Sequence, residues 1–96
     1  MKVVFAARAR INFDKQIDYL IEEGAIRAAR ALRTRVRIFL TNFLAVYPRT
    51  GAYIAERDLW ETHIPRTRLV IWYRFTADVL VVIDVWHSSQ DRQSTP

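Results

Sequence analysis

The chain of 96 residues contains no cysteine. A disulfide framework and a thiolate metal site are therefore both excluded. Its two histidines, His63 and His87, stand far apart, and neither belongs to a carboxylate–histidine motif of ligand spacing, so no metal set is legible. Glycine occurs only at Gly24 and Gly51, which leaves no glycine-rich loop to cradle a phosphate and argues against a nucleotide-binding enzyme. No cofactor is called for. No apolar run approaches the roughly 20 residues of a membrane span. Arg8 and Arg10 also cut short the apolar start, so neither a signal peptide nor a membrane partner is expected, and a cytoplasmic location is the default.

Lysine is nearly missing as well. Only Lys2 and Lys15 supply it among 15 basic residues, which outweigh ten acidic ones for a formal charge of +5. The remainder are arginines, whose planar forked cation suits bidentate contact with phosphate or carboxylate. Arginine-favouring codon usage in a GC-rich genome gives the same counts, so composition leaves both explanations open.

The hydrophobic pattern is that of one small domain, residues 1–92, followed by a polar tail at 93–96. Residues 2–8 alternate as a strand before a charged exit. Asn12 reads as a helix N-cap, with Asp14 in the first turn and Phe13, Ile17, Leu20 and Ile21 at helical spacing. Gly24 suits the left-handed position that ends this helix. A second helix is expected from Ala25 to about Val46, its apolar stripe marked by Ala28, Ala29, Leu32, Val36, Phe39, Phe43, Leu40 and Val46. Its other face carries Arg27, Arg30, Arg33 and Arg37, spaced by three, three and four to form one basic row. Such a row is usually a solvated face, and it also fits an acidic partner.

Pro48-Arg49-Thr50-Gly51 is a turn signal, and residues 58–64 alternate well enough for a strand that Pro65 ends. The last third reads as a hairpin, with Leu69, Ile71, Tyr73 and Phe75 facing Val79, Val81, Ile83 and Val85 across the turn Thr76-Ala77-Asp78. That face belongs on the helices. The opposite face then carries Trp72, Arg74, Asp84 and Trp86, with Arg68 opposite Trp86, and is expected to be exposed as a binding surface. The predicted fold is α+β: an N-terminal strand and an antiparallel helical hairpin packed on a small antiparallel sheet, in the order β-α-α-β-β-β.

Arginines interleaved with aromatics can neutralise phosphates and stack bases. His87, which follows the last strand, has the chemistry of a general acid or base, and Arg68 and Arg74 could supply positive charge to a phosphorane. The bland alternatives are a hydrogen-bonded strand-end histidine and an arginine paired with Asp84 or Glu61. His63 has no evident partner and reads as structural or solvated.

Taken together, the opening Val3-Val4-Phe5, the Gly24-Ala25 break, Pro48-Arg49-Thr50-Gly51, residues 68–74 and the ending Val85-Trp86-His87-Ser88-Ser89-Gln90-Asp91-Arg92 resemble the RelE/ParE toxin superfamily. The resemblance implies a toxin neutralised by a cognate antitoxin that wraps over it, the pair acting on operator DNA only through the antitoxin. RelE-like members cut messenger RNA on the ribosome, and Arg68, Arg74 and His87 stand where such a catalytic set would fall. Residues 49–67, however, hold no lysine, and arginine cannot readily move a proton. ParE-like members lack that set and bind DNA gyrase. The helix break, the Pro-x-x-Gly turn and the ending look closer to this branch, which implies a growth inhibitor of the kind that stabilises plasmids. Candidate partner contacts are the arginine row, Gln90, Asp91 and Arg92, together with Trp72 and Trp86; either indole could equally be buried, and Trp86, near the strand end, is expected to be at least partly covered.

Overall fold

The computed structural model describes residues 1–89. The expectations for Gln90, Asp91, Arg92 and the polar tail lie outside the described residues.

Strand β1 (Lys2–Phe5) leads into helix α1 (Ala7–Glu22). The helix begins five residues before the expected cap, because Ala7 and Ala9 are strong helix formers. Ala9 is fully buried and lets α1 approach the sheet closely. Asn12 is therefore an interior helical residue, and Arg8 and Arg10 lie in the helix instead of ending a strand. Gly24 adopts φ 78° at the end of α1, as its position in the sequence predicted. The amide of Ala25 reaches Leu20 O (2.8 Å) and that of Gly24 reaches Ile21 O (2.9 Å), which closes a Schellman motif and turns the chain back.

Helix α2 (Ile26–Ile38) runs on into a π-helical segment at Phe39–Leu44, where Ala45 N–H bonds to Leu40 O at 2.9 Å. The wider turn re-phases the apolar stripe. Ala29, Val36, Leu40 and Leu44 are buried, whereas Phe43 and Val46, expected inside, face outward, and Ala28 is exposed too. A short 3₁₀ turn at Pro48–Thr50 precedes β2 (Ala52–Ile54), a strand absent from the sequence reading. Strands β3 (Leu59–His63), β4 (Leu69–Phe75) and β5 (Val79–His87) complete one sheet of order β1-β5-β4-β3-β2.

The α+β architecture and the placing of a helical hairpin on one sheet face are as predicted. The sheet is mixed, however, since β1 pairs parallel with β5 while all other neighbours are antiparallel. The main core joins Phe13 and Ile17 of α1 and Val36 of α2 to Leu69, Ile71, Tyr73, Leu80, Val82 and Val85 of the sheet.

The β4–β5 pairing carries an irregularity that the sequence pattern conceals. Trp72 pairs with Asp84 but Tyr73 pairs with Val82, so Ile83 is an extra residue on β5. Beyond this bulge the alternation changes phase, and Leu80 and Val82 face the helices in place of the expected Val79, Val81 and Ile83. Asp84 turns with Val85 toward α1, where its Oδ1 accepts a hydrogen bond from Asn12 Nδ2 (2.8 Å). A second, smaller core forms on the other sheet face from Leu59, Trp72 and Trp86, with Ile54, Val70 and Ile83 around it.

Candidate functional site

The strand-end cluster is built by the antiparallel pairing of β4 and β5, which sets Leu69 opposite His87 and so brings Arg68 beside the histidine. The register differs by two residues from the expected one, because Trp86 faces Val70 and not Arg68. The Arg68 carbonyl accepts the Ser88 amide at 2.6 Å and pins the two strand ends together. Arg68 and His87 share a cleft of 220 Å³ with Gln16, Tyr19 and Leu20 of α1 and Leu32 of α2. Within it, His87 Nδ1 receives the Ser89 amide (3.2 Å) and lies 2.7 Å from the Ser89 hydroxyl. An amide can only donate, so Nδ1 is the acceptor in this contact.

Arg74 does not join this cluster. It lies six residues further along β4, about 20 Å away at about 3.3 Å per strand residue. Its Nε donates to Asp58 O (2.6 Å) and its Nη2 to Arg57 O (3.0 Å), so the guanidinium clamps the β2–β3 turn. The same turn is tied by Tyr53, whose hydroxyl donates to Asp58 Oδ1 at 2.6 Å; this bond to the carboxylate is the main cause of its raised pKa. The structure thus keeps Arg68 beside His87 and separates Arg74 from both.

The expected open face with two tryptophans is corrected. Trp72 and Trp86 are 7% and 4% exposed and meet edge to face, ring centroids 4.7 Å apart. Trp72 Nε1 donates to Glu61 Oε1 (2.9 Å), and the Arg57 guanidinium lies 4.8 Å from the Trp72 ring centre. Asp84, placed on the same face by simple alternation, has left it through the bulge. These indoles stabilise the sheet, and any partner contact they make is at their margins. His63 lies exposed at the end of β3, consistent with the solvated reading.

The arginine row, by contrast, is where the spacing puts it. Arg27, Arg30, Arg33 and Arg37 are all exposed on α2, a helix whose 13 residues include no acid. Arg30, Arg33 and Arg37 border a groove along the seam of the helical hairpin. One hollow of 290 Å³ lies among Phe5, Arg10, Phe13, Val36 and Arg37, and another of 300 Å³ among Ile17, Ile21, Ile26 and Arg30; the two share Arg33. The floor is apolar and the rim cationic. At one end the groove reaches β1, an edge strand whose outer side has no strand partner among the described residues. No group of three or more metal-binding side chains occurs among the described residues, and no helix there is long and apolar enough to cross a membrane.

The family model for the ParE toxin of the type II toxin–antitoxin system parDE matches residues 3–92. The chain belongs to the ParE toxin family. The solved chromosomal ParDE toxin–antitoxin system from P. aeruginosa contains a chain similar to this ParE-family toxin, with a TM-score of 0.66 at 12% identity. The likeness covers 91% of this chain and 95% of that one and concerns the fold alone. No curated protein matches the sequence. The sequence reading missed the aromatic ridge exposed by the π-helical segment and the burial of Trp72, whereas Trp86 is covered, as its place near the strand end suggested. A single stripe of helical period runs through both α2 and the segment after it, so only the helix geometry reveals the first.

Proposed function

We propose that this ParE-family chain arrests growth by protein contact with DNA gyrase and is silenced by a cognate antitoxin seated along the α1–α2 groove. The observation that carries the reading is the dispersal of the candidate catalytic set. Arg74 is committed to the β2–β3 turn, about 20 Å along β4 from the cleft of His87, so the phosphorane cation and the acid–base residue of an RNase are not assembled together.

The groove supports the second half of the reading. An apolar floor edged by Arg30, Arg33 and Arg37 suits an amphipathic segment with acidic residues flanking its apolar anchors. Operator DNA enters this scheme only through the antitoxin. Purified toxin tested against gyrase supercoiling, with and without antitoxin, decides between contact inhibition and other activities.

A ribosome-dependent messenger-RNA endonuclease is the second reading, favoured by one observation: Arg68 and His87 do share a cleft, with Tyr19 and Gln16 beside them. Replacing both with alanine abolishes growth arrest under that reading and leaves it intact under the first.

A further inference from the structure

The flank of α2 opposite the arginine-edged groove carries a different surface. At about 100° per residue, Arg35 lies nearly half a helical turn from Arg33 and Arg37, and Ile38 lies about 100° from Arg37 on the same side as Arg35. The π-helical segment continues this flank and turns Phe39, Phe43 and Tyr47 into a ladder, with ring centroids 5.5 Å apart at each step. Phe43 is 42% exposed and Tyr47 58%, and Ile38 beside them is similarly open. A cleft of 440 Å³ runs between this ladder and the β3–β4 turn, with Arg35 on one side and Arg66 on the other.

Two features set the patch apart from scattered surface apolarity. First, an α-helical continuation would have kept the stripe turned inward; the π-helical turn exposes it, and such turns concentrate at functional sites. Second, Arg66 holds φ 62°, a left-handed conformation that glycine adopts without strain, and residues kept there against their preference cluster where function requires them. This places an arginine, where a turn alone favours glycine, at the mouth of an apolar cleft.

We propose that this ladder and its two arginines form the surface that grips the toxin's target, by docking an acidic amphipathic helix of the target protein. The proposal rests on the contact-inhibitor reading above. Aromatic side chains at i, i+4 and i+8 form a ridge that fits the groove between side-chain rows of a partner helix. Arg35 and Arg66 then meet carboxylates on either side of its apolar anchors. A second copy of this chain is the poorer occupant: each copy carries +5, and the cleft is lined by arginines with no acid among its described lining residues, so two copies repel. The antitoxin groove lies on the other flank, which leaves target and antitoxin surfaces separable.

The test compares wild type with Phe43→Ala, Arg35→Gln and Arg66→Gly, the last chosen because glycine relieves the backbone strain and does not threaten folding. Each is co-produced with antitoxin, and three quantities are read: the affinity of the antitoxin complex, growth arrest on expression alone, and inhibition of gyrase supercoiling. The expected result is potency lowered about tenfold or more in arrest and in supercoiling, with antitoxin affinity unchanged. Full potency in all three variants overturns the proposal, as does an equal loss of antitoxin affinity, or a wild-type dimer in solution that Phe43→Ala dissolves. Arrest by the wild type without any effect on gyrase sinks the gyrase reading alone, and the arrest assay then still decides the patch. Absence of arrest by the wild type overturns both.

Discussion

Asn12 and Asp84, 72 residues apart, are joined by a hydrogen bond of 2.8 Å from Nδ2 to Oδ1 that fixes the middle of α1 to the bulge in β5. Asp84 is 1% exposed, and its Oδ1 also accepts the Val85 amide at 2.8 Å, so the carboxylate organises the bulge and the helix contact together. The bond links the helical layer to the strand that ends at His87.

Removing the Asn12 amide leaves a buried carboxylate less well satisfied. Asn12→Ala is expected to lower unfolding free energy by about 1–3 kcal/mol. Equilibrium urea denaturation measures it, and a change within experimental error would show that the tether contributes nothing.

Asn12 also shows why part of the fold was hidden in the sequence. Asparagine just before an apolar helical pattern is a good cap signal, but Ala7 and Ala9 extend the helix before it and make Asn12 an interior helical residue. Likewise the hairpin's turn, strands and apolar character were legible, while the bulge was not: Val79, Val81 and Ile83 are as apolar as Leu80 and Val82, so the pattern gives no cue to where the phase shifts. The arginine row was legible because helical spacing alone defines it. Strand pairing sets Arg68 beside His87 and puts Arg74 at the far end of β4, a separation that residue types along the strand do not announce.

Tyr73 is fully buried, and its hydroxyl donates to Pro48 O at 2.6 Å, tying β4 to the turn before β2. Tyr73→Phe orphans that carbonyl and is expected to cost about 1–3 kcal/mol. Burial raises the phenol's pKa above its ordinary value of 10.0. The unfolded chain therefore ionises first, so this tyrosine's contribution is intact below pH about 10 and falls as pH rises beyond it. Denaturation across this range should show a shallower alkaline loss for Tyr73→Phe than for wild type. Equal slopes would contradict the assignment.

Gly51 packs against the same hydroxyl. A Cβ there would lie 2.6 Å from Tyr73 Oη and 2.7 Å from Glu61 O, and the second is backbone that cannot swing aside. Gly51→Ala is expected to destabilise by about 1–3 kcal/mol through overpacking. A melting temperature equal to wild type would refute the close approach.

Trp72 and Trp86 form a buried pair, so alanine at either position opens a cavity in the second core. Trp86→Ala should cost about 3–5 kcal/mol. Stability measured while the antitoxin complex is intact separates this from a contact role. A variant that folds normally but loses only antitoxin affinity would return the indole to the partner surface.

The arginine row predicts a salt-sensitive antitoxin complex. Affinity should fall as ionic strength rises, and Arg30→Glu with Arg33→Glu should weaken binding and flatten that dependence. Titration calorimetry at low and high salt reads both. Unchanged affinity in the double variant would leave the row as a solvated face.

Contact inhibition without catalysis is tested most directly by DNA supercoiling with purified gyrase at micromolar toxin, using wild type and the Arg68→Ala, His87→Ala double variant. Both are expected to inhibit supercoiling, the antitoxin to reverse it, and messenger RNA on translating ribosomes to stay intact. Undisturbed supercoiling together with new messenger-RNA ends, lost in the double variant, would contradict contact inhibition and return Arg68 and His87 to catalytic roles.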